Sequence, residues 1–221
     1  MARLARVVVP GVPCHVTQRG NGGQKVFLTE DDYRFYRDTL AAQCEAAHVA
    51  VWSWCLMPNH VHLLLVPQDE DGLRRALAAT HRRHAGRVHA RLKRTGHFWQ
   101  GRYGSVALDE PHVLAALRYI ALNPVRAGLV RKADDWRWAS TRALLAGAED
   151  GITDIAAVRQ RVPRFADLLA LGPDEEGFAR LRRAETVGRP LGDAGFLARL
   201  EALTSRTLAA ARRGRKPRDE A

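Results

Sequence analysis

Two histidines, His60 and His62, flank Val61 in the stretch MPNHVHLLL, residues 57–65. On a strand, alternate side chains share a face, so both imidazoles project to one side, ~7 Å apart along the chain. Imidazole is the commonest side-chain metal ligand, and a pair at this spacing can converge on one ion. A pair of satisfied core or surface histidines explains the motif equally well. Two ligands do not make a site, so a third donor is the next requirement.

The segment from Pro111 offers one. Val113, Leu114, Leu117, Ile120 and Ala121 form an apolar stripe at helical spacing, while Tyr119 and Asn123, four residues apart, share another face with His112 on the same side. If that face looks at the sheet beside His60 and His62, Asn123 supplies its amide oxygen as third ligand and Tyr119 lies one turn away. A divalent ion with open positions polarises a phosphoryl group and stabilises the leaving oxygen. Tyrosine can be the nucleophile, and on a DNA phosphodiester it gives a phosphotyrosine and a free hydroxyl, which conserves bond energy for rejoining. Of the four tyrosines, only Tyr119 has a metal-capable partner at helical spacing; Tyr33 and Tyr36 have Arg37 and Leu40 at i+4, and Tyr103 sits on a strand. By spacing alone, an amphipathic-helix tyrosine with a solvated hydroxyl is an even alternative.

These residues need a scaffold. CHVTQR, residues 14–19, alternates and reads as a strand, followed by a Gly20–Gly23 loop. Thr29 with Asp32 three residues on caps a helix that runs to about Ala47. Residues 49–56 and 60–66 read as a hairpin turned at Met57-Pro58-Asn59. A long helix from Leu73 to about Lys93, ending near Gly96, carries Arg74, Arg75, Arg82, Arg83, Arg87 and Arg91. Residues 103–108 form a fourth strand. Asp109-Glu110-Pro111 opens the Tyr119 helix, and Pro124 is expected to stop it at Asn123. The β-α-β-β-α-β-α order predicts an α+β sandwich, an antiparallel sheet with helices packed on one face. From about Arg131 the strand pattern ends. Trp136 and Trp138 fall in a helical-looking segment, and two or three short helices follow. The expected organisation is a catalytic domain over residues 1–130, a helical extension over 131–205, and a basic, disordered tail over 206–221.

Composition narrows the function classes. The chain has 221 residues, 46% of them hydrophobic, which is enough for a packed core. Its net charge of +11 favours polyanions, nucleic acid first, although an arginine-biased coding sequence gives a similar excess. Three cysteines, Cys14, Cys44 and Cys55, without a CxxC pair argue against a disulfide framework or a cysteine zinc site. No apolar run reaches membrane length, and the N-terminal run is too short for a signal peptide, so a cytoplasmic location is expected.

Taken together, MPNHVHLLL, RYIALNPVRAGLV from Arg118 and HVTQRGN near the start resemble the IS200-like single-tyrosine transposases, closest to the REP-associated branch. HFWQGRYGSVALDE from His97 and GRPLGDAGFLARLEALTSRTL from Gly188 fit that branch too, and the resemblance spans about residues 9–217. It implies an HUH endonuclease fold, ferredoxin-like, with a cleft for single-stranded DNA. It implies His60 and His62 as ligands for Mg²⁺ or Mn²⁺, Tyr119 as the nucleophile that attaches to the 5′ phosphate, and Asn123 as third ligand where relatives often carry glutamine. It implies a substrate of imperfect palindromes folded as hairpins, with a monomer favoured over a homodimer. Arg19, Arg82, Arg83, Arg87, Arg102 and Arg126 are the expected DNA contacts; Trp99 either stacks a base or packs inside, and the arginine-rich tail is a candidate hairpin clamp. Two other readings compete: a DNA- or RNA-hairpin-binding module with cleavage weak or lost, and a phosphoesterase that uses water.

Overall fold

The computed structural model describes residues 5–208. Its first half runs β1 (Cys14–Arg19), α1 (Glu30–Ala46), β2 (Val49–Met57), β3 (His60–Pro67), α2 (Gly72–Leu92), β4 (Gly104–Ala107) and α3 (Glu110–Arg126). The strands form one antiparallel sheet in the order β2-β3-β1-β4, a ferredoxin-like α+β arrangement. Both faces of the sheet are covered, not one. Val61, Leu63 and Leu65 of β3 join Tyr36, Leu40, Leu73 and Leu77 of α1 and α2, while Leu64 and Val66 join Val113, Leu117 and Ile120 of α3. The unbroken run Leu63–Val66 is the sequence trace of a strand buried on both sides.

Register across the sheet follows from its corner. His60 pairs with Met57, so the β2–β3 turn is only Pro58-Asn59. The Pro58 carbonyl accepts from the Val26 and Phe27 amides (2.8 and 3.2 Å), and the Asn59 carbonyl accepts from the Gly20 amide (2.9 Å). Gly20 cannot gain a side chain, because a Cβ there would overlap the Gln24 carbonyl. On the other strand neighbour, Arg19 pairs with His60, Thr17 with His62 and His15 with Leu64. His15, Thr17, Arg19, His60 and His62 therefore share the α3 face of the sheet. A bulge at Trp52 of β2 shifts the alternation by one, so that Val49 and Val51 face the α1–α2 side while Cys55 and Met57 face the α3 side.

The start of α1 carries the expected capping box, in which the Thr29 side chain accepts from the Asp32 amide and Asp32 accepts from the Thr29 amide. Asp32 is fully buried and also accepts from the Leu28 amide and, at 2.6 and 2.7 Å, from both terminal nitrogens of Arg91 on α2. Burial pushes its carboxyl up, but Arg91 and the two amides outweigh that and hold it at about 2, below the ordinary 3.8. Stability from this pair is therefore complete above about pH 4 and lost as pH falls toward 2. Asp32→Ala removes a cap, leaves the Leu28 and Thr29 amides unpaired and frees the exposed Arg91 side chain, so it is expected to cost roughly 2–3 kcal/mol in denaturant unfolding. It should also flatten the fall in stability between pH 4 and 2; an unchanged acid profile would show that the pair contributes nothing.

Two local expectations are corrected. The helix α3 runs through Pro124 to Arg126. A proline so near the C-terminus removes only one backbone bond, and the Asn123 and Pro124 carbonyls still accept from the amides of Ala127 and Leu129. The Trp136–Trp138 segment is extended rather than helical. The Leu56 amide donates to the Trp138 carbonyl and the Ser140 amide to the Trp54 carbonyl, so this strip lies along the outer edge of β2. Trp138 stacks on Tyr33 with ring centroids 4.8 Å apart.

More helices follow than expected: α4 (Thr141–Ala146), α5 (Ile155–Arg161), α6 (Phe165–Ala170), α7 (Glu175–Val187) and α8 (Ala194–Thr204). Phe165, Phe178 and Leu181 join the α3 side of the core, and Phe196 and Leu200 join the other, so the late helices build on the same two cores as the sheet. Most of the basic tail, residues 209–221, lies outside the described residues. The three cysteines are buried and unpaired. Among the described residues, no helix is long and apolar enough to cross a membrane.

Candidate active site

A cavity of about 420 Å³ opens where the C-terminal half of α3 crosses the β1–β3 edge of its sheet face. Arg19, His60, His62, Tyr119, Asn123, Arg126, Ala127, Arg182 and Glu185 line it. The Tyr119 helix thus faces the two histidines. The His62 and Tyr119 rings meet edge to face at 5.2 Å, and His60 and His62 lie at 4.8 Å.

Each histidine is held from behind. His60 Nδ1 lies 2.6 Å from Asn59 Oδ1, and His62 Nδ1 lies 3.1 Å from Nε2 of His15. In both rings this leaves Nε2 as the nitrogen for the cavity. Burial lowers the His60 imidazole to about 4, with help from Arg19, and lowers His62 further below its usual range, with His60, His15 and Arg19 adding to the effect. Both rings are therefore neutral near pH 7, with a lone pair to give.

Tyr119 is only 4% exposed. Its ring packs against His62, His15 at 5.8 Å and Phe178 at 5.0 Å, with the Arg126 guanidinium 5.6 Å above it. Burial raises the phenol and Glu185 adds to this, while Arg182, Arg126 and the Asn123 side chain pull it down. Asn123 is buried one turn on, at the cavity wall.

The late helices supply a third side. Arg118 pairs with Asp174 (3.0 Å) and Arg126 with Glu175 (3.2 Å), which bolts the start of α7 to α3. Asp174 also caps α7 by accepting from the Gly177 amide. With Phe178, Leu181 and Ala184 buried, the next face of α7 brings Arg182 and Glu185 over the cavity.

The structure thus gathers His60, His62, Tyr119, Asn123, Arg19 and Arg126. His112 is elsewhere, at the other end of α3, with Nδ1 2.5 Å from the capping Asp109 carboxylate. Arg82, Arg83 and Arg87 are exposed on α2, across the sheet from the cavity. Arg102 is exposed in the loop before β4. Trp99 takes the packing role: its Nε1 donates to the His81 carbonyl (3.0 Å) and its ring lies among Tyr36, His81 and Phe98. Sequence reasoning missed His15, Arg182 and Glu185. His15 was legible as the residue two before Thr17 on an alternating strand; the other two have no signal within reach of the HxH motif.

Residues 9–123 match the family described as IS200-like transposases. Two solved structures are similar. One is a REP-associated tyrosine transposase bound to a REP hairpin, with TM-score 0.55 and 19% identity over 70% of this chain and 93% of that one. The other, described as a transposase from Deinococcus radiodurans R1, has TM-score 0.38 and 23% identity over 54% of this chain and 95% of that one. No curated protein matches the chain. The first likeness establishes the shared fold, and the sequence match covers the sheet, the HxH strand and the tyrosine helix: the chain belongs to the IS200-like transposase family.

Proposed function

We propose that the protein is a metal-dependent endonuclease and strand transferase for single-stranded DNA. Its substrates are palindromic repeats folded as hairpins, and it works through a 5′-phosphotyrosine on Tyr119. The observation that carries this reading is the cavity itself, where the Tyr119 phenol and Asn123 amide of α3 meet His60 and His62 of β3 and Arg19, Arg126 and Arg182 complete the lining. The hairpin in the similar solved structure supports the choice of substrate.

The donor set fits a divalent ion. Two neutral imidazoles and the Asn123 amide oxygen leave positions for phosphate oxygens and water, and imidazole nitrogen favours Mn²⁺ over the harder Mg²⁺. When bound, the ion supplies Lewis-acid polarisation of the scissile phosphate. Arg19, Arg126 and Arg182 draw the phosphodiester into the cavity and offset its charge. In the step itself, Tyr119 gives up its phenol proton and its oxygen bonds to phosphorus. The bond from phosphorus to the 3′ oxygen breaks, and that oxygen takes up a proton to leave as a hydroxyl. Arg82, Arg83 and Arg87, exposed on α2 across the sheet from the cavity, and Arg102, exposed in the loop that bonds to the Arg19 end of β1, provide basic surface for the hairpin stem. The Tyr119 helix faces the histidines of its own chain, so no second copy is needed to complete the cavity, and a monomer is the proposed acting unit. A cytoplasmic location suits both a DNA substrate and three reduced thiols.

The test is a labelled single-stranded hairpin incubated with the protein and Mn²⁺, resolved on a denaturing gel. A slow-migrating covalent species is expected that carries the fragment downstream of the cut, joined through its 5′ phosphate. Tight binding without any covalent species would favour a hairpin-binding module, and cut product without it would favour attack by water.

A further inference from the structure

Behind the metal-facing histidines lies a second buried pair that the proposed chemistry does not use. His15 is fully buried on β1. Its Nε2 touches His62 Nδ1 at 3.1 Å, and the two rings stack with centroids 5.2 Å apart. Its Nδ1 faces Glu185 Oε1 on α7 at 3.3 Å. That distance is within ion-pair range, but the alignment is too oblique for a hydrogen bond, and both atoms are buried without another partner. His15, His62 and Glu185 form a compact group of potential ligand atoms, all within 4.8 Å of one another.

Proton counting gives this group a direction. For His62 to offer Nε2 to the cavity as a lone pair, its proton must sit on Nδ1. Among the described residues, the atom placed to receive it is Nε2 of His15. His15 then carries its own proton on Nδ1, aimed at the Glu185 carboxylate. One proton arrangement satisfies the whole row, and it ends on the Glu185 carboxyl, which burial raises to about 7 against the pull of Arg19 and Arg182 and which is therefore an anion at pH 8. The opposite arrangement places a proton on His62 Nε2, where it blocks coordination, and leaves His15 Nδ1 as a lone pair facing a carboxylate.

We propose that His15 and Glu185 are positioning residues: the Glu185 carboxylate orients His15, and His15 fixes His62 as the Nδ1–H tautomer with Nε2 toward the cavity. This rests on the reading of His62 as a metal ligand. Carboxylate–histidine–metal rows of this kind set both ring orientation and ligand basicity. Here the row has two rings, and its anion comes from α7, outside the stretch that matches the family. The α7 helix is thereby part of the metal site, tied to α3 by Arg118–Asp174 and Arg126–Glu175. The strained contact between His15 and Glu185 closes by a small rotation and pairs both orphaned atoms at once.

The test uses the full chain at pH 8, with two readouts. Long-range ¹H–¹⁵N NMR reports the His62 tautomer without metal, and titration with Mn²⁺ followed by electron paramagnetic resonance reports affinity. In the wild type, His62 is expected as the Nδ1–H form. Glu185→Ala should shift it toward the Nε2–H form and weaken Mn²⁺ binding by roughly 10- to 100-fold. Glu185→Gln, which keeps an acceptor, should lose less. His15→Ala should match Glu185→Ala, and the double variant should be no worse than either, because both act in one row. Glu185 is at the cavity edge, so its variants test the idea even if His15→Ala does not fold. An unchanged tautomer in Glu185→Ala overturns the proposal, whether Mn²⁺ affinity is kept or falls; a fall would make Glu185 a direct ligand instead. If the wild type binds no Mn²⁺, or His62→Ala binds it equally well, the metal reading fails, and that failure is distinct from failure of the row.

Discussion

Tyr119→Phe is expected to abolish the covalent DNA adduct and reduce hairpin cleavage by roughly 10³-fold or more, the scale seen when a nucleophile is removed. Hairpin binding should stay within a few-fold of the wild type. The ring itself is a structural part: it fills the space between His62, His15, Phe178 and Arg126. Phenylalanine keeps all of these contacts and removes only the hydroxyl, so the stability cost is about 1 kcal/mol. Loss of chemistry with fold and binding retained separates nucleophile from packing group. The other tyrosines cannot stand in. Tyr33 is stacked between Phe27 and Trp138. The Tyr36 hydroxyl is engaged with His81 at 3.0 Å. Tyr103 lies under the Arg6 guanidinium. All three belong to the core on the far side of the sheet. An adduct that persists in Tyr119→Phe would sink the assignment, and peptide mapping of that adduct would name the true nucleophile.

The features readable in the sequence are those carried by local signals. The capping box of Thr29 and Asp32, the Pro58-Asn59 corner, and the Asp109 cap before Pro111 each declare themselves within four residues. The HxH motif gives the shared face because alternation is a property of one strand. Features set by contacts distant in sequence were hidden. Trp136 and Trp138 read as helical, yet the Trp136 indole donates to the Leu56 carbonyl, the Trp138 carbonyl accepts from the Leu56 amide and the Ser140 amide donates to the Trp54 carbonyl, and no spacing rule encodes such a bridge. Pro124 read as a stop because the rule judges a proline by its own lost bond, while the structure has only a helix end left to lose. The two-sided cover of the sheet was hidden because the apolar stripe of α3 does not say which face it packs on; it takes the face opposite α1 and α2, and the late helices add to both. The site was half legible for the same reason. His60, His62, Tyr119 and Asn123 come from two elements with clean periodicity, whereas Arg182 and Glu185 arrive some sixty positions after Tyr119. Two ion pairs and the Phe178 anchor bring them there, and no local pattern marks either.

Replacing the two histidines singly should expose an asymmetry that metal ligation alone does not predict. His60→Ala and His62→Ala are each expected to lower Mn²⁺-dependent cleavage by roughly 10³-fold, equivalent to about 4 kcal/mol of transition-state stabilisation. Chelation with EDTA should bring the wild type to the same level and leave both variants unchanged. Their stabilities should differ. His60 and its Nδ1 partner Asn59 are both half-buried at the cleft rim, where water can satisfy the Asn59 side chain, so His60→Ala should unfold within about 1 kcal/mol of the wild type. His62 is 3% exposed and is, among the described residues, the one partner of the buried His15 Nε2. Its removal leaves that nitrogen unpaired and opens a void beside Tyr119, so His62→Ala should cost roughly 2–4 kcal/mol. Denaturant unfolding without metal reads the difference directly, and hairpin cleavage with and without EDTA reads the shared loss. Cleavage by the wild type that survives EDTA would remove the metal from the mechanism. Equal stability of the two variants would show that the His15–His62 contact holds nothing in place.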